Sequence, residues 1–453
     1  MSKLPSSLAS SPRGEQIWSI LQAALKAVDP MEAVRRAFRL EGKILKTGGR
    51  DYDLTKYDRI FVVGGGKAGA PMAAAVEQVL EDRITAGFIN VKYGHLLSPD
   101  QSPRRITVHE AGHPTPDENG REGVEQMFNL LTHMTERDLV ICVISGGGSA
   151  LMVLPQAGIS LKDIQELTRS LLRCGATINE MNAIRKHLDA FKGGQLARRV
   201  APAQIISLIL SDVVGNPLDV IASGPTAPDT STFQDSVRIL QERGIWNEIL
   251  PAIRQHLEAG LAGRIPETPK EGDPIFARVN NVIVGSNEVG ALAAAQRAES
   301  LGFHSLVLST YVEGEAREVA KVCTALAKEM VHYNRPLPRP ACLIAGGETT
   351  VYIRGTGRGG RNQELALASA IALADWPDVM VVSLATDGTD GPTDAAGALA
   401  TGQTVARGLQ LNLSASEYLA NNDSYHFFEA LGDLLLTGPT NTNVNDLIFV
   451  FAF

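Results

Sequence analysis

A lysine stands inside a run of glycines, Gly64-Gly65-Gly66-Lys67-Ala68-Gly69, directly after the apolar stretch 59–63. A G-x-G-x-x-G pattern between a strand and a helix is the dinucleotide fingerprint. Its second element, an acidic residue for the ribose hydroxyls about 20 residues further on, is missing, because the next apolar run ends in Asn90-Val91-Lys92. A cation inside a glycine turn fits a phosphate cradle better, with Lys67 as its charge and Gly64, Gly65 and Gly66 as its backbone donors. A second glycine turn, Ser145-Gly146-Gly147-Gly148-Ser149, follows the apolar run 139–144. Consecutive small residues let backbone N–H groups converge on an oxygen at a helix start.

Three further segments gather polar side chains after apolar runs. Ser211-Asp212 follows 205–210, and Gly346-Gly347-Glu348 follows 341–344. The latter continues into a glycine loop with Arg354, Arg358 and Arg361, and a helix opens at Asn362. Arginine at a helix N-terminus opposes the dipole, and an anion bound beside Arg361 and Asn362 would remove the conflict. Asp387, Asp390 and Asp394 crowd the turn 386–394. Like charges this close repel unless a cation or hydrogen-bond donors gather them, so the turn reads either as hard oxygen ligands suited to Mg²⁺ or as a set of Asx-turns. Arg185 and Lys192, seven apart, project along one flank of a helical face and direct charge toward a cleft. His113-Pro114-Thr115-Pro116-Asp117 is a rigid polar turn or substrate contact; no second histidine stands at ligand spacing. There is no G-x-S-x-G elbow and no G-x-x-x-x-G-K-[ST] loop, which counts against a serine hydrolase and a P-loop enzyme.

These residues must be held by an α/β scaffold. Short continuous apolar runs at 59–63, 86–91, 139–144, 205–210, 282–284, 305–308, 341–344, 380–384 and 447–451 alternate with helical patterns such as 71–80, 123–134 and 161–174. Continuous runs predict strands buried on both faces, hence largely parallel sheets. Ligands of such sheets bind outside the carboxyl ends of the strands, which is where the polar segments fall. The 453 residues allow two or three domains. We expect a loose tail over 1–14, a Rossmann-like domain over 15–260, a Pro- and Gly-rich linker over 261–275 and a second α/β domain over 276–453. Hydrophobic residues are 44% and aromatics 5%, and Lys+Arg 42 against Asp+Glu 50 leaves a net charge of −8. That profile is globular and does not favour nucleic-acid binding. Four scattered cysteines without a C-x-x-C pair, no apolar leader and no stretch of membrane-spanning length predict a cytoplasmic protein with reduced thiols.

The ordered series of motifs resembles the class II glycerate kinases, the glycerate 2-kinase family with a C-terminal MOFRL-type domain. It rests on V-G-G-G-K-A-G around Lys67, H-P-T-P-D at 113–117, I-S-G-G-G-S-A-L at 144–151, N-A-I-R-K-H-L at 182–188 and K-G-G-Q-L-A at 192–197. It continues with L-I-L-S-D-V-V-G at 208–215, I-A-S-G-P-T at 221–226, G-G-E-T-T-V at 346–351, G-R-G-G-R-N-Q-E at 357–364, A-T-D-G-T-D-G at 385–391 and T-G-P-T-N-T-N-V-N-D-L at 437–447. Asn441 departs from the glycine expected there. The resemblance implies two three-layer α/β/α domains with the active site between them, and transfer of phosphate from ATP, with Mg²⁺, to the 2-hydroxyl of D-glycerate. It also implies a lysine at Lys67 and an arginine at Arg361.

The chemistry of phosphoryl transfer then gives Lys67 and Arg361 as cations on the transferred group, assisted by the N–H groups of 64–66 and 146–148. Asp212, Glu348 or Asp387 would hold Mg²⁺, or one of them would take the hydroxyl proton. The substrate carboxylate would meet Arg185, Lys192 or Ser149. Two other classes stay open: an NAD(P)H-dependent hydroxypyruvate reductase using 64–69 as a dinucleotide loop, and a non-catalytic metabolite sensor. Oligomeric state is left open, a homodimer included.

Overall fold

A computed structural model describes residues 4–453. The chain divides into two compact units, one of Pro30–Val284 and one joining the described residues up to Asp29 with Gly285–Phe453. The first begins with a helix, Pro30–Ala37, entered through Pro30, and an antiparallel meander of β1 (Phe38–Glu41), β2 (Ile44–Thr47) and β3 (Arg50–Asp53). Its main sheet holds β4 (Arg59–Gly65), β5 (Ala86–Lys92), β6 (Ile106–Ala111), β7 (Asp138–Ile144), β8 (Gln204–Leu210) and β9 (Val279–Gly285), in the order β6-β5-β4-β7-β8-β9. The pairs β4–β5, β4–β7, β5–β6 and β7–β8 are all parallel. Every residue of β7 is buried, which is why, after Asp138, its sequence is an unbroken apolar run. From β4 the order runs to β5 and β6 on one side and to β7 and β8 on the other. The carboxyl ends of β4 and β7 therefore form the topological switch point, the position where α/β sheets open a crevice.

The expected linker at 261–275 is instead folded onto this unit. Its Glu267 receives the ring Nε2 of His187 at 2.7 Å and the N–H of Phe233 at 3.0 Å, and Thr268 donates to buried Asp229 at 2.9 Å. Pro, Gly and charge looked like a tether in the sequence because these partners lie up to 80 residues away.

The second unit carries β10 (His304–Glu315), β11 (Ala341–Thr350), β12 (Val379–Ala385), β13 (Gly397–Thr401), β14 (Leu434–Leu435) and β15 (Asp446–Ala452), ordered β10-β11-β15-β12-β13-β14. Here the parallel expectation needs correction. Only β10–β11 is parallel; β15 runs antiparallel to both β11 and β12, and β13 is antiparallel to β12 and β14. Burial on both faces, not strand direction, is what a continuous apolar run reports. Cys342, Ile344, Phe449 and Phe451 pack against the helices Gly14–Ala27 and Asn287–Ser300, while Leu343, Ala345, Ile448 and Val450 pack against Ala316–Tyr333 and Arg361–Ala372. Three layers result. The described part of the expected tail is also folded: Ser6–Ala9 is helical, Leu8 lies in this core, and Ser7 donates N–H and Oγ to Asp433 at 2.8 and 2.7 Å. Residues 1–3 of that tail lie outside the described residues.

All four cysteines are unpaired, and Cys142, Cys323 and Cys342 are buried. Burial pushes the thiols of Cys142 and Cys323 up to about 12, so they are inert. No helix among the described residues is long and apolar enough to cross a membrane.

Candidate active site

The two glycine turns lie side by side at the switch point but differ in chemistry. Gly64 and Gly65 are still strand residues, paired with Ile89 and Asn90 on one side and Val143 and Ile144 on the other. Beyond them the N–H of Gly66 donates to Asn90 O, that of Lys67 to Gly146 O at 2.8 Å, that of Ala68 to Ser145 Oγ at 3.0 Å and that of Gly69 to Gly66 O. The expected anion nest at 64–66 is thus occupied by the protein's own acceptors. The glycines are there for space: a Cβ on Gly64 would stand 2.1 Å from Val143 O, and one on Gly65 2.2 Å from Asn90 O. Ser145 serves this interlock and is fully buried.

The turn after β7 opens instead into a cavity of about 270 Å³. Gly147, at φ +83, leads into the short helix Gly148–Leu151, whose N-terminus has no side-chain cap. Gly147, Gly148 and Ser149 line the cavity, as do Arg185 and Asp212. Asp212 lies against the turn, since a Cβ on Gly146 would stand 2.2 Å from its Oδ2. Lys67 lies against it too, its Cγ 3.4 Å from where a Gly147 Cβ would be. The Lys67 ammonium has no ion pair or hydrogen bond among the described residues. Arg185 lies on the helix Ile178–His187, started by a reciprocal Thr177–Glu180 capping box, and its guanidinium reaches Thr168 Oγ1 at 3.4 Å. Burial lowers its affinity for a proton, and Asp189 partly restores it. Of the residues singled out in the sequence, Gly147, Gly148, Ser149, Arg185 and Asp212 line this cavity, with Lys67 and Gly146 beside it.

Lys192 requires correction. It lines the wall but is only 2% exposed, with its ammonium on Asp189 Oδ2 and on Met152 O at 2.8 Å. Asp189 also accepts the N–H groups of Leu154, Phe191 and Lys192. This pair ties 189–192 to 152–154 and leaves no charge for a substrate carboxylate.

Two residues that sequence reasoning undervalued or missed line the same cavity, His113 and Asn182, and a third, Ser223, is buried behind them. His113 lies with Cδ2 and Nε2 3.0 and 3.1 Å from the Gly147 Cβ position. Burial, then the nearby Lys67 and Lys92, push its imidazole down to about 4, so it is neutral at pH 7. Asn182 lines the wall and buried Ser223 stands behind it, with Ser149 Oγ 2.8 Å from Ser223 Oγ and the latter 3.3 Å from Asn182 Oδ1. Ala222 and Ser223 are left-handed, at φ 50 and 60, and non-glycine residues hold that conformation only where surrounding structure enforces it. The I-A-S-G-P-T run was the available signal for this turn.

In the second unit the predicted residues are neutralised among themselves. Arg361 meets Asp446 through Nε at 2.5 Å and Glu348 at 2.8 Å. Glu348 also accepts Asn445 Nδ2 at 3.0 Å. The helix end that seemed to need an anion is capped by Asp390, which accepts the N–H groups of Asn362 and Gln363 at 3.1 and 2.8 Å. The Asn362 side chain is buried among Ser383, Asp390 and Asp446 and bonds each of them. Desolvation raises Asp390 to about 6 despite these donors. The three aspartates do not converge: Asp387 closes an Asx-turn on Thr389, Asp390 caps the helix and Asp394 accepts the Tyr425 hydroxyl. Among the described residues no three His, Cys, Asp or Glu side chains form a metal cage. Of the three candidate metal ligands, Glu348 and Asp387 belong to the unit of Gly285–Phe453 and Asp212 to that of Pro30–Val284.

What the fold and cavity define is an α/β protein with a small cation-lined cavity at a sheet switch point. Residues 16–258 match the model of a domain of unknown function (DUF4147), and residues 341–446 that of the MOFRL family. The glycerate 2-kinase of Pyrococcus horikoshii is 40% identical over 95% of both chains, and the D-glycerate 2-kinase of Thermotoga maritima 43% identical over 86% of this chain and 90% of its own. A relative from Agrobacterium vitis, 40% identical over 86% of each chain, carries the provisional name of hydroxypyruvate reductase. The crystal structure of the Thermotoga maritima glycerate kinase superposes with a TM-score of 0.87 at 40% identity over 97% of this chain and 99% of that one. This chain belongs to the class II glycerate kinase family.

Proposed function

We propose that the chain is a glycerate 2-kinase, transferring the γ-phosphoryl group of ATP to the 2-hydroxyl of D-glycerate. The observation that carries this is the gathering of Lys67, Arg185 and Asp212 around one small cavity at the carboxyl ends of β4 and β7. Arg185, with no carboxylate on its guanidinium, takes the substrate carboxylate in a bidentate fork. Ser149 and Asn182 bond the substrate's hydroxyl groups, with buried Ser223 hydrogen-bonded to both from behind. Lys67 meets the phosphoryl oxygens, where a preorganised cation acts on charge that develops in transfer. Mg²⁺ bound mainly through phosphates and water requires only one or two carboxylates, and Asp212 fits as its protein oxygen; when bound, the ion offsets phosphate charge.

The reductase reading loses its anchor with the loop 64–69, whose N–H groups already have acceptors. The deciding assay incubates the protein with D-glycerate, ATP and Mg²⁺ and follows product with enolase and no mutase. A signal is expected, since enolase accepts the 2-phosphate alone; ADP release without it would place transfer at the 3-hydroxyl, and silence in both would return weight to reduction.

Asp212 can be tested without removing it. In Gly146→Ala the new Cβ would stand 2.2 Å from Asp212 Oδ2. The carboxylate must shift to make room, so kcat is expected to fall roughly 10²-fold, the scale of a misplacement of about 1 Å. The thermal midpoint should stay near that of the wild type; a variant with unchanged kcat would remove Asp212 from the reaction.

A further inference from the structure

His113 is set apart from the other histidines of the chain. His95, His109, His187, His256 and His426 each hold a protein partner through a ring nitrogen. His133, His304 and His332 lie exposed at the surface. His113 alone is half-buried, lines the cavity and has no hydrogen-bond partner on either ring nitrogen among the described residues. Its Nε2 edge faces Gly147, beside the Lys67 stem and in the same cavity as Asp212 and Arg185. A polar ring kept in such a place without a protein partner is arranged for one that arrives with substrate.

We infer that His113 is a catalytic residue, accepting through Nε2 the proton of the substrate hydroxyl as that oxygen attacks phosphorus; the inference rests on the kinase reading above. In the step, the substrate O–H bond breaks and its proton passes to Nε2. The oxygen forms a bond to the γ-phosphorus. The bond from that phosphorus to the β,γ-bridging oxygen breaks, and its electron pair leaves on ADP. The imidazolium returns its proton to water after product departs. The neutral ring has the lone pair this requires. Part of what keeps it neutral is the charge of Lys67, and phosphates seated on Lys67 offset that charge, so the ring becomes more basic when substrate is bound. Asp212, which also lines the cavity, would hold Mg²⁺ rather than take this proton.

The test uses the full chain with D-glycerate, ATP and Mg²⁺. His113→Ala is expected to lower kcat by about 10²-fold or more, the range of a lost general base, with KM for ATP within about twofold of wild type. Added imidazole should restore the rate in proportion to its neutral form, which no packing defect would allow. A wild-type protein that makes no 2-phosphoglycerate overturns the kinase reading itself. An active wild type with a His113→Ala variant at wild-type kcat overturns the role of His113 alone. So does a loss that imidazole leaves unrelieved in a variant with the wild-type thermal midpoint. If that midpoint falls, His113→Gln, close in volume and unable to take the proton, repeats the comparison. Full activity in His113→Gln overturns the assignment, and loss of kcat with KM retained supports it.

Discussion

Lys67→Ala should reduce kcat by about 10²–10³-fold, as for removal of one preorganised transition-state donor, and leave the thermal midpoint unchanged. Both halves follow from where the side chain sits. Its backbone N–H is bonded to Gly146 O, and this bond survives the substitution. Its ammonium has no ion pair or hydrogen bond among the described residues, so truncation leaves no buried partner behind. The side chain is only half-buried, so little packing is lost. A second readout comes from His113. Lys67 is the largest charge effect holding that imidazole at about 4, after burial, so in Lys67→Ala its titration by NMR should move upward. Because the folded imidazole lies below its unfolded value, stability is gained as pH rises from about 4 toward 6.5, and the variant should show a narrower gain. Equal kcat in variant and wild type would remove Lys67 from the chemistry.

The contrast between the glycine turns shows what sequence can and cannot reveal. Strand–helix alternation placed the central strands of both sheets, because burial on both faces leaves an unbroken apolar run, but missed β6, β13 and β14. It could not separate parallel from antiparallel pairing, so the reversed direction of β13 and β15 in the second sheet was missed. Lys67, Gly146 and Asp212 were legible because residues that follow parallel strands converge at the switch point whatever their separation in the chain. The state of each charged group was not legible. Lys192 and Arg185 look equivalent along the sequence, yet Asp189 neutralises the first and leaves the second lining the cavity. The aspartates 387, 390 and 394 look like a cluster, yet each finds its own donor. Such pairings depend on side-chain direction and on residues far along the chain, and periodicity carries neither. His113 was visible only as part of a rigid turn, since its distinction is the partner it lacks.

Arg361→Ala, by the same reasoning, is expected to fail through stability before chemistry. Arg361 carries a charge between two carboxylates, and one of them, Asp446, is 3% exposed. Asp390, 2% exposed, is a second buried acid close enough for each to raise the other's proton affinity. Removing the guanidinium leaves both without their cation, and breaking a buried pair from one side costs about 3–5 kcal/mol. Urea unfolding should register a loss of that order. Arg361→Ala/Asp446→Asn should be more stable than Arg361→Ala, because the stranded charge is gone, and the coupling in the double-mutant cycle then isolates the pair. The sign of the pH dependence follows. Burial already raises Asp446 and holds Asp390 at about 6, above its unfolded value. A carboxyl whose folded value is raised loses stability as pH climbs from its unfolded value through its folded one. The deficit of Arg361→Ala should therefore be greatest above pH 6 and shrink as the medium is made acid and the carboxyls take up protons. A variant as stable as wild type but about 10²-fold slower would instead return Arg361 to the role first expected of it, a cation acting on the transferred phosphoryl group.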